Sequence, residues 1–238
     1  MAEWFEEWFG EEYLNLYPHR NEVDAGRLVR LLAQVLPWRT GWRVLDVACG
    51  AGRHLAALEQ AGAQPFGFDL SRALLRRARQ GTRRPLVRAD MRALPFRDGS
   101  MDLTVNLFTS FGYFAEDEEH TDALGQMLAT VRPGGWFVID FLNAEQVRTA
   151  LVPEESVALG NQQVRVRREL TIDGRFVRKT ITLADGRAFE ERVRLLGPRD
   201  LEAMLEAHGA CIAHRLGDYD GAALGAGPRT ILAAQVPA

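Results

Sequence analysis

The segment "VLDVACGAGRHL", from Val44 to Leu55, constrains the fold of this chain more than any other part of it. Its apolar run is interrupted by small residues and then resumes with the spacing of a helix. That order predicts a strand, a tight glycine-containing turn and the beginning of a helix. Turns of this kind contact ligands, and three classes are candidates: a nucleotide phosphate, a dinucleotide, or a molecule without phosphate.

Strands and helices alternate along the chain from Trp42 onward. The pattern predicts helices at 52–60, 71–79, 117–130 and 198–208, and strands at 43–47, 65–69, 86–88, 102–107, 136–141, 211–216 and 230–236. Such alternation with short connections is typical of an α/β fold whose mostly parallel sheet is doubly wound, with helices on both faces.

A different pattern occupies residues 157–196. The alternating segments "QVRVRREL", "RFVRKTITL" and "FEERVRLL" are separated by Asp173-Gly174 and Asp185-Gly186. Because Asp-Gly between alternating runs is a strong hairpin signal, we expect an antiparallel β insertion of three or four strands here.

The amino-terminal residues 1–20 mix acidic and aromatic residues at helical spacing, which predicts one amphipathic helix before a second at 22–36. Trp4, Phe5, Trp8 and Phe9 are expected only to pack. We therefore predict a single domain over 1–238, divided into a helical cap (1–40), a core (41–150 and 197–238) and the β insertion (151–196).

Composition limits the classes of function. The chain has 238 residues, a formal net charge of -3 and a pI of about 6.0, which argues against nucleic acid as a partner. The sequence lacks an apolar run of membrane-spanning length, and its two cysteines, Cys49 and Cys211, fit neither a disulfide framework nor a zinc site. We expect a cytoplasmic protein without a membrane partner or a metal. Chemistry that needs a lysine would rest on Lys179, the only one.

The residues of the glycine turn separate the three classes of ligand. A phosphate-binding P-loop requires a lysine after its glycines, whereas Arg53 and His54 stand there. The dinucleotide fingerprint fits only loosely, because Leu55 stands where its third glycine would fall.

Three acidic residues at predicted strand ends favour a different ligand. Asp46 lies just before the turn, where it would repel a pyrophosphate but could accept a hydrogen bond from an ammonium group. Asp69, about 20 residues after the turn, is placed to bind the hydroxyls of a ribose. Asp90 ends the next strand, placed to meet an adenine. Carboxylates in this arrangement suit a cationic nucleoside, and S-adenosylmethionine has that chemistry.

Four motifs in order resemble the class I S-adenosylmethionine-dependent methyltransferase family of the small-molecule, bacterial type. They are "VLDVACGAG", "GFDLS", "RADMRALPF" and "VRPGGWFVIDF", and the resemblance covers residues 40–150. It implies a seven-stranded Rossmann-like sheet whose last strand is antiparallel, and methyl transfer from S-adenosylmethionine with S-adenosylhomocysteine as product.

The resemblance also implies which residues bind the cofactor. The backbone around the glycine turn would approach the methionine part, and a tyrosine or arginine of the amino-terminal helix would bind its carboxylate. The cofactor-binding set is Tyr17, Arg20, Asp46, Ala48, Gly50, Gly52, Asp69, Leu70, Asp90, Met91, Asn106, Leu107 and Phe108.

The aromatic loop "NLFTSFGYF" follows the fourth strand and faces the transferring methyl group in this family. Phe111 and Tyr113 are therefore predicted to contact the substrate, together with Tyr219 and Arg229 of the last hairpin loop. Tyr113 and His54 are the candidates for catalysis, although a structural hydrogen bond would explain His54 equally well. His120, among acidic residues, is expected to be exposed to solvent.

Other functions remain open at this stage. A catalytically silent S-adenosylmethionine-binding scaffold would have the same motifs, and an RNA or protein methyltransferase or an NAD-dependent oxidoreductase is less favoured. The oxidoreductase would need a Tyr-x-x-x-Lys relay, but Asp117 stands four residues after Tyr113. The open edges of the insertion make a homodimer plausible.

Overall fold

The computed structural model describes residues 3–17 and 22–238 and contains two β-sheets with helices around the larger one. The helices are α1 (Trp4–Trp8), α2 (Glu11–Leu16), α3 (Glu22–Val35), α4 (Arg53–Gln60), α5 (Arg72–Gly81), α6 (Asp117–Ala129), α7 (Ala144–Thr149) and α8 (Pro198–Ala207). The strands are β1 (Arg43–Val47), β2 (Gln64–Asp69), β3 (Leu86–Arg88), β4 (Met101–Asn106), β5 (Val131–Leu142), β6 (Glu154–Leu159), β7 (Gln162–Leu170), β8 (Phe176–Thr182), β9 (Ala188–Arg194), β10 (Cys211–Leu216) and β11 (Arg229–Gln235).

The larger sheet has seven strands in the order β10-β11-β5-β4-β1-β2-β3. The five strands from β5 to β3 in this order are parallel to one another. By contrast, β11 is antiparallel to β5, and β10 is antiparallel to β11. The predicted seven-stranded, mostly parallel α/β fold is thus confirmed. Val47 pairs with Phe68 on one side and with Asn106 on the other, so the carboxyl ends of β1, β2 and β4 meet at one edge.

Helices cover both faces of this sheet because its apolar side chains alternate between them. Val44 and the neighbouring strands pack against Leu28 and Leu32 of α3 on one face. Leu45 belongs to the opposite face, where the core includes Met127 of α6 and Leu201 of α8. The sheet is consequently buried on both faces, so a ligand can reach it at the carboxyl ends of the strands.

The smaller sheet has the order β6-β7-β8-β9 with antiparallel pairing throughout, which confirms a four-stranded insertion. Two of its three hairpins turn at Gly174 and Gly186, whose φ angles of 66° and 87° favour glycine. One face of this sheet packs Val166 and Ile181 against Trp8 of α1. The inner face of the insertion is therefore turned toward the amino-terminal helices.

The structure corrects two local expectations. The predicted single helix over residues 1–20 is two short helices, α1 and α2, interrupted at Phe9 and Gly10. His120, expected in solvent, is fully buried in α6, because its ring packs between Phe111 and Phe114. Within the described ranges, the helices are all too short or too polar to cross a bilayer.

Candidate functional site

The turn after β1 has an unusual backbone conformation. Ala48, Gly50 and Gly52 have φ angles of 59°, 56° and 85°, all in the left-handed region. At Gly52 an added Cβ would lie 3.1 Å from Cβ of Ala78, so helix α5 approaches the turn closely. Ala48 adopts this conformation despite its Cβ, which is strain of the kind that clusters at ligand-binding sites.

Asp69 fixes the turn to the end of β2. Its Oδ2 accepts a hydrogen bond from the amide of Gly50 at 2.8 Å, and its Oδ1 accepts one from the amide of Ser71 at 2.7 Å. Burial raises the pKa of Asp69 to about 6, although these amides favour the ionised form. A carboxylate oxygen can accept further hydrogen bonds, so the predicted contact with a ribose is compatible with this arrangement.

Asp46 and Asn106 place buried oxygen atoms beneath the turn. Asp46 is 1% exposed, and burial raises its pKa to about 8. Asn106 is fully buried, and its Nδ2 donates to the carbonyl oxygens of Val47 and Ser110 at 3.3 Å each. Within residues 3–17 and 22–238, Oδ2 of Asp46 and Oδ1 of Asn106 have no hydrogen-bond partner. Buried acceptors of this kind require an explanation, and a ligand with N–H donors provides one.

The third predicted acid, Asp90, is already bound to a cation. Burial opposes its ionisation, but hydrogen bonds from Arg92 hold its pKa below the usual value. Nη2 of Arg92 lies 2.7 Å from Oδ2 of Asp90. Met91, the next residue, and Leu70, which follows Asp69, are partly buried against the core. The side chain of Leu107 is 2% exposed in the core, so any contact with a ligand falls to its backbone.

A cavity of about 590 Å³ opens at the loop after β4, whose Phe108 ring packs against Arg53 just after the glycine turn. Trp4 and Phe9 line it from the amino-terminal segment, and Phe108, Thr109 and Tyr113 line it from the loop after β4. Residues between 142 and 152 and the inner face of the insertion complete the wall. The volume is within the range of small-molecule sites, and the wall is predominantly apolar and aromatic.

Asp140 of β5 organises one end of the cavity. It is fully buried, and its Oδ1 accepts from Nε of Arg229 at 2.7 Å. Its Oδ2 accepts from the hydroxyl of Tyr219 at 2.8 Å and from the amide of Phe108 at 2.9 Å. A second nitrogen of Arg229 donates to Oγ1 of Thr109 at 3.1 Å. One carboxylate thus fixes two predicted substrate residues and the loop after β4.

Phe108 and Thr109 have φ angles of 59° and 62°, which are strained for residues with side chains. The guanidinium carbon of Arg53 lies 4.0 Å from the centre of the Phe108 ring, and that of Arg229 lies 5.3 Å from it. Both distances are within the range of cation–π interactions. The loop is thereby held with the Phe108 ring between the glycine turn and the cavity.

Tyr113 lines the cavity, and its hydroxyl donates to the carbonyl oxygen of Thr109 at 2.7 Å. Its ring lies 5.1 Å from that of Trp4 and 5.7 Å from that of Phe9. The hydroxyl of Ser71 also donates to the carbonyl of Phe9. The amino-terminal segment therefore contacts the chain after β2, through Ser71, and the loop after β4, through Tyr113.

Other predicted residues lie elsewhere. Phe111, predicted to contact the substrate, is fully buried in the core and does not line the cavity. His54 is 5% exposed, and burial and the charges of Arg53 and Arg229 hold its pKa well below its usual value. The imidazole is thus neutral near pH 7. Arg20 lies outside the described residues.

Tyr17 meets the insertion rather than the glycine turn. Its hydroxyl accepts a hydrogen bond from Nζ of Lys179 at 3.0 Å, and Nζ lies 3.2 Å from Oε2 of Glu191. Nε1 of Trp8 donates to the other oxygen of Glu191 at 2.7 Å. These contacts bring the only lysine of the chain to the wall of the cavity.

Sequence reasoning missed several residues of this site. Trp4 and Phe9, expected only to pack, line the cavity, and so do Lys179 and Glu191 of the insertion. The alternation of the insertion strands gave a usable signal, since Lys179 stands between Val177 and Ile181 on the apolar face of its strand. Across the described ranges, no group of three or more potential metal-ligating side chains is close enough to hold an ion.

Comparisons with known proteins agree with this architecture. Residues 44–135 match a family described as a methyltransferase domain. A demethylmenaquinone methyltransferase of Renibacterium salmoninarum is 34% identical over 113 residues, which cover 46% of this chain and 45% of that relative. The chain spans about half the length of the curated relatives it matches.

Solved structures match nearly the whole chain. An S-adenosylmethionine-dependent methyltransferase from Clostridium acetobutylicum has a TM-score of 0.79 at 18% identity, covering 95% of this chain and 98% of that one. At that identity the likeness shows the fold alone. DesVI from Streptomyces venezuelae has a TM-score of 0.70 at 26% identity, covering 95% of this chain and 97% of that one.

Proposed function

We propose that this chain, a class I S-adenosylmethionine-dependent methyltransferase by its fold and its matched domain, transfers the methyl group of S-adenosylmethionine to a small-molecule acceptor held in the cavity. The relative from Renibacterium salmoninarum is named for a small-molecule substrate, demethylmenaquinone, which supports an acceptor of this size class. S-adenosylhomocysteine is then the second product.

One observation carries the proposal: two buried oxygen acceptors, on Asp46 and Asn106, lie near the ends of the paired strands β1 and β4. The left-handed glycine turn follows the first of these strands, and the loop that lines the cavity follows the second. A positively charged ligand with N–H donors would satisfy both oxygens and would favour the ionised form of Asp46. The methionine part of S-adenosylmethionine has these properties. The residues present thus fit the cofactor, with Asp69 assigned to the ribose and Asp90, Met91 and Leu70 to the adenine side.

The bound cofactor supplies an electrophilic methyl group that needs no further activation by the protein. The chain has to align the acceptor and exclude water, which can supply most of the catalysis. The rings of Trp4, Phe9 and Tyr113 pack together in the wall of the cavity, where they exclude water from the proposed acceptor. Tyr113, whose hydroxyl donates to Thr109, lines the cavity and is the proposed contact for the acceptor. His54 is buried and neutral in the first turn of the helix that follows the glycine turn.

Calorimetric titration of the full chain with S-adenosylmethionine, S-adenosylhomocysteine and NAD tests the proposal. We expect binding of both sulfur nucleosides in the micromolar range and no heat with NAD. Asp69→Arg should abolish binding, whereas the same change at the exposed Asp98 should leave it intact. Circular dichroism would verify that both variants fold. Binding of NAD alone, or unchanged binding in Asp69→Arg, would contradict the proposal.

The alternative of a catalytically silent binding protein predicts the same titration but no product with any acceptor. The cavity between the loop after β4 and the insertion favours the enzyme, because it provides space for a methyl acceptor. Its volume, which is within the range of small-molecule sites, also favours a small molecule over nucleic acid as acceptor.

A homodimer is a further part of the proposal. β6 is an edge strand of the insertion, on the side away from α1, and an edge strand can pair with a second copy. Sedimentation of the full chain tests this, and a monomer at all concentrations would contradict it.

A further inference from the structure

The inner face of the insertion carries a row of four charged side chains into the cavity. They come from four neighbouring strands and are Glu155, Arg168, Lys179 and Glu191. Charged side chains are the exception on this wall, whose other members are mainly apolar and aromatic. Their order across the sheet is acidic, basic, basic, acidic.

The pairing register brings the two cations together. Arg168 stands directly opposite Lys179, and Lys179 stands directly opposite Glu191. The Cβ atoms of directly opposite residues are about 4.5–5.5 Å apart in an antiparallel sheet. The carboxylates lie on the far sides, with Glu155 2.6 Å from Arg168 and Glu191 3.2 Å from Lys179. The side chains that carry the two positive charges are therefore neighbours at the centre of the row.

Directly opposite like charges destabilise a sheet, so this pairing is unfavourable by itself. On the outer face Arg178 stands opposite Arg192, but 42% of the Arg178 side chain is exposed to solvent, which screens its charge. Lys179 is 18% exposed and Arg168 is 26% exposed. The inner pair is screened less, and an anion between its two cations would offset the repulsion.

Lys179 and Arg168 each have more N–H donors than described partners. An ammonium has three N–H donors, and in the part of the chain that the structure describes two of those of Lys179 meet Tyr17 and Glu191. A guanidinium has five donors, and Glu155 is the one partner described for Arg168. The remaining donors are available to a molecule in the cavity.

We propose that Arg168 and Lys179 form an anion subsite, and that the methyl acceptor carries a carboxylate or phosphate group bound there. This inference rests on the proposed function. The subsite lies in the insertion, whereas Thr109 and Arg229 line the cavity near the glycine turn. The acceptor is therefore oriented with its anionic group on the insertion and its nucleophile toward the loop after β4, and Val177 and Val193 contact the body between them.

Anion binding to the full chain tests the subsite without any knowledge of the acceptor. The probes are inorganic phosphate and benzoate, titrated by calorimetry with and without saturating S-adenosylhomocysteine. We expect at least one probe to bind, and the stronger of the two identifies the anionic group. Lys179→Met and Arg168→Gln should each weaken that binding about tenfold or more, since a hydrogen bond to a charged group is lost. Lys179→Arg should retain it.

The chain offers matched controls on the same strands. Arg178→Met and Arg167→Gln remove cations from the neighbouring outward-facing positions and should leave anion binding unchanged. Equal losses in the inner and outer variants, or no binding of either probe to the wild type, would overturn the subsite. Titration with S-adenosylhomocysteine alone reports separately on the proposed function. Anion binding without binding of that nucleoside would sustain the subsite and reject methyl transfer.

Discussion

The hydroxyl of Tyr219 donates a 2.8 Å hydrogen bond to Oδ2 of Asp140, which lies 79 positions earlier in the chain. This contact joins the loop between the last two strands to the end of β5. Burial and the charge of Asp140 raise the pKa of Tyr219 well above its usual value, so the phenol remains protonated and remains a donor. Because Asp140 also binds Arg229 and Phe108, the contact helps to fix the wall of the cavity.

Tyr219→Phe removes this donor and leaves the rest of the ring in place. Hydrogen bonds to charged groups contribute about 1.5–3 kcal/mol, so the free energy of unfolding should fall by that amount. Urea denaturation at pH 7 measures it. An unchanged free energy of unfolding would mean that water replaces the phenol at Asp140.

Asp46→Asn should alter how stability depends on pH. The pKa of Asp46 is about 8 in the folded chain against 3.8 in the reference state, so the folded state binds more protons between these values. The stability that this proton supplies is fully present below pH 4 and is lost as pH rises through 8. The uncharged amide escapes that loss. The variant should therefore gain stability relative to the wild type as pH rises from 5 to 9.

Urea denaturation of both proteins at several values of pH provides the measurement for Asp46→Asn. Asp69, with a pKa of about 6, has the same sign but a lower window, and it is present in both proteins. Because its charge also raises the pKa of Asp46, only the part of its contribution that is independent of Asp46 cancels in the difference. A difference that stays constant from pH 5 to pH 9 would show that Asp46 ionises normally.

Trp8→Phe tests how firmly the amino-terminal helices are attached to the insertion. Trp8 is 1% exposed, donates to Glu191 at 2.7 Å and packs 4.8 Å from the ring of Phe189. Loss of the bond to a charged partner should lower the free energy of unfolding by about 1.5–3 kcal/mol. Trp38→Phe, which loses a bond to the carbonyl of Ala61, is the matched control with a smaller expected effect of about 1 kcal/mol. Equal effects would contradict the assignment.

Gly67→Ala should destabilise the chain and weaken binding of S-adenosylhomocysteine. A Cβ at this position would lie 2.7 Å from Cδ2 of Leu86 and 2.8 Å from Sγ of Cys49, which belongs to the glycine turn. Overpacking of this kind costs about 1–3 kcal/mol. At Gly81, the last residue of α5, an added Cβ meets nothing within 4 Å, so Gly81→Ala should be neutral or slightly stabilising. Urea denaturation and calorimetry compare the two.

The sequence was sufficient for those elements whose causes are local. The apolar run before Val47 and the glycines after it predicted the strand and turn, and Asp173-Gly174 predicted a hairpin, because backbone conformation limits the residues at these positions. Gly10 interrupts the amino-terminal helix through a comparably local effect, but the regular spacing of its apolar residues concealed the break.

Features that depend on tertiary packing were beyond the sequence. The residues just before His120 in the sequence are acidic. In the folded chain, however, Phe111 and Phe114 of the loop that precedes α6 pack against its ring and bury it. Helical periodicity shows that Trp4 and Phe9 are on an apolar face, but not whether that face meets the core or a cavity. Arg168 and Lys179 are opposite each other because of the register of their strands. Alternation does not determine that register, since a shift of two residues keeps every side chain on the same face.

Three of the segments that wall the cavity are distant along the chain: the amino-terminal helices, the loop after β4 and the insertion. An occupant would touch all three at once and join them. A molecule that binds only the folded state stabilises it by mass action, so its presence raises the melting temperature whatever its chemistry. Thermal screening of metabolite mixtures can therefore find the natural occupant before any assay of turnover exists.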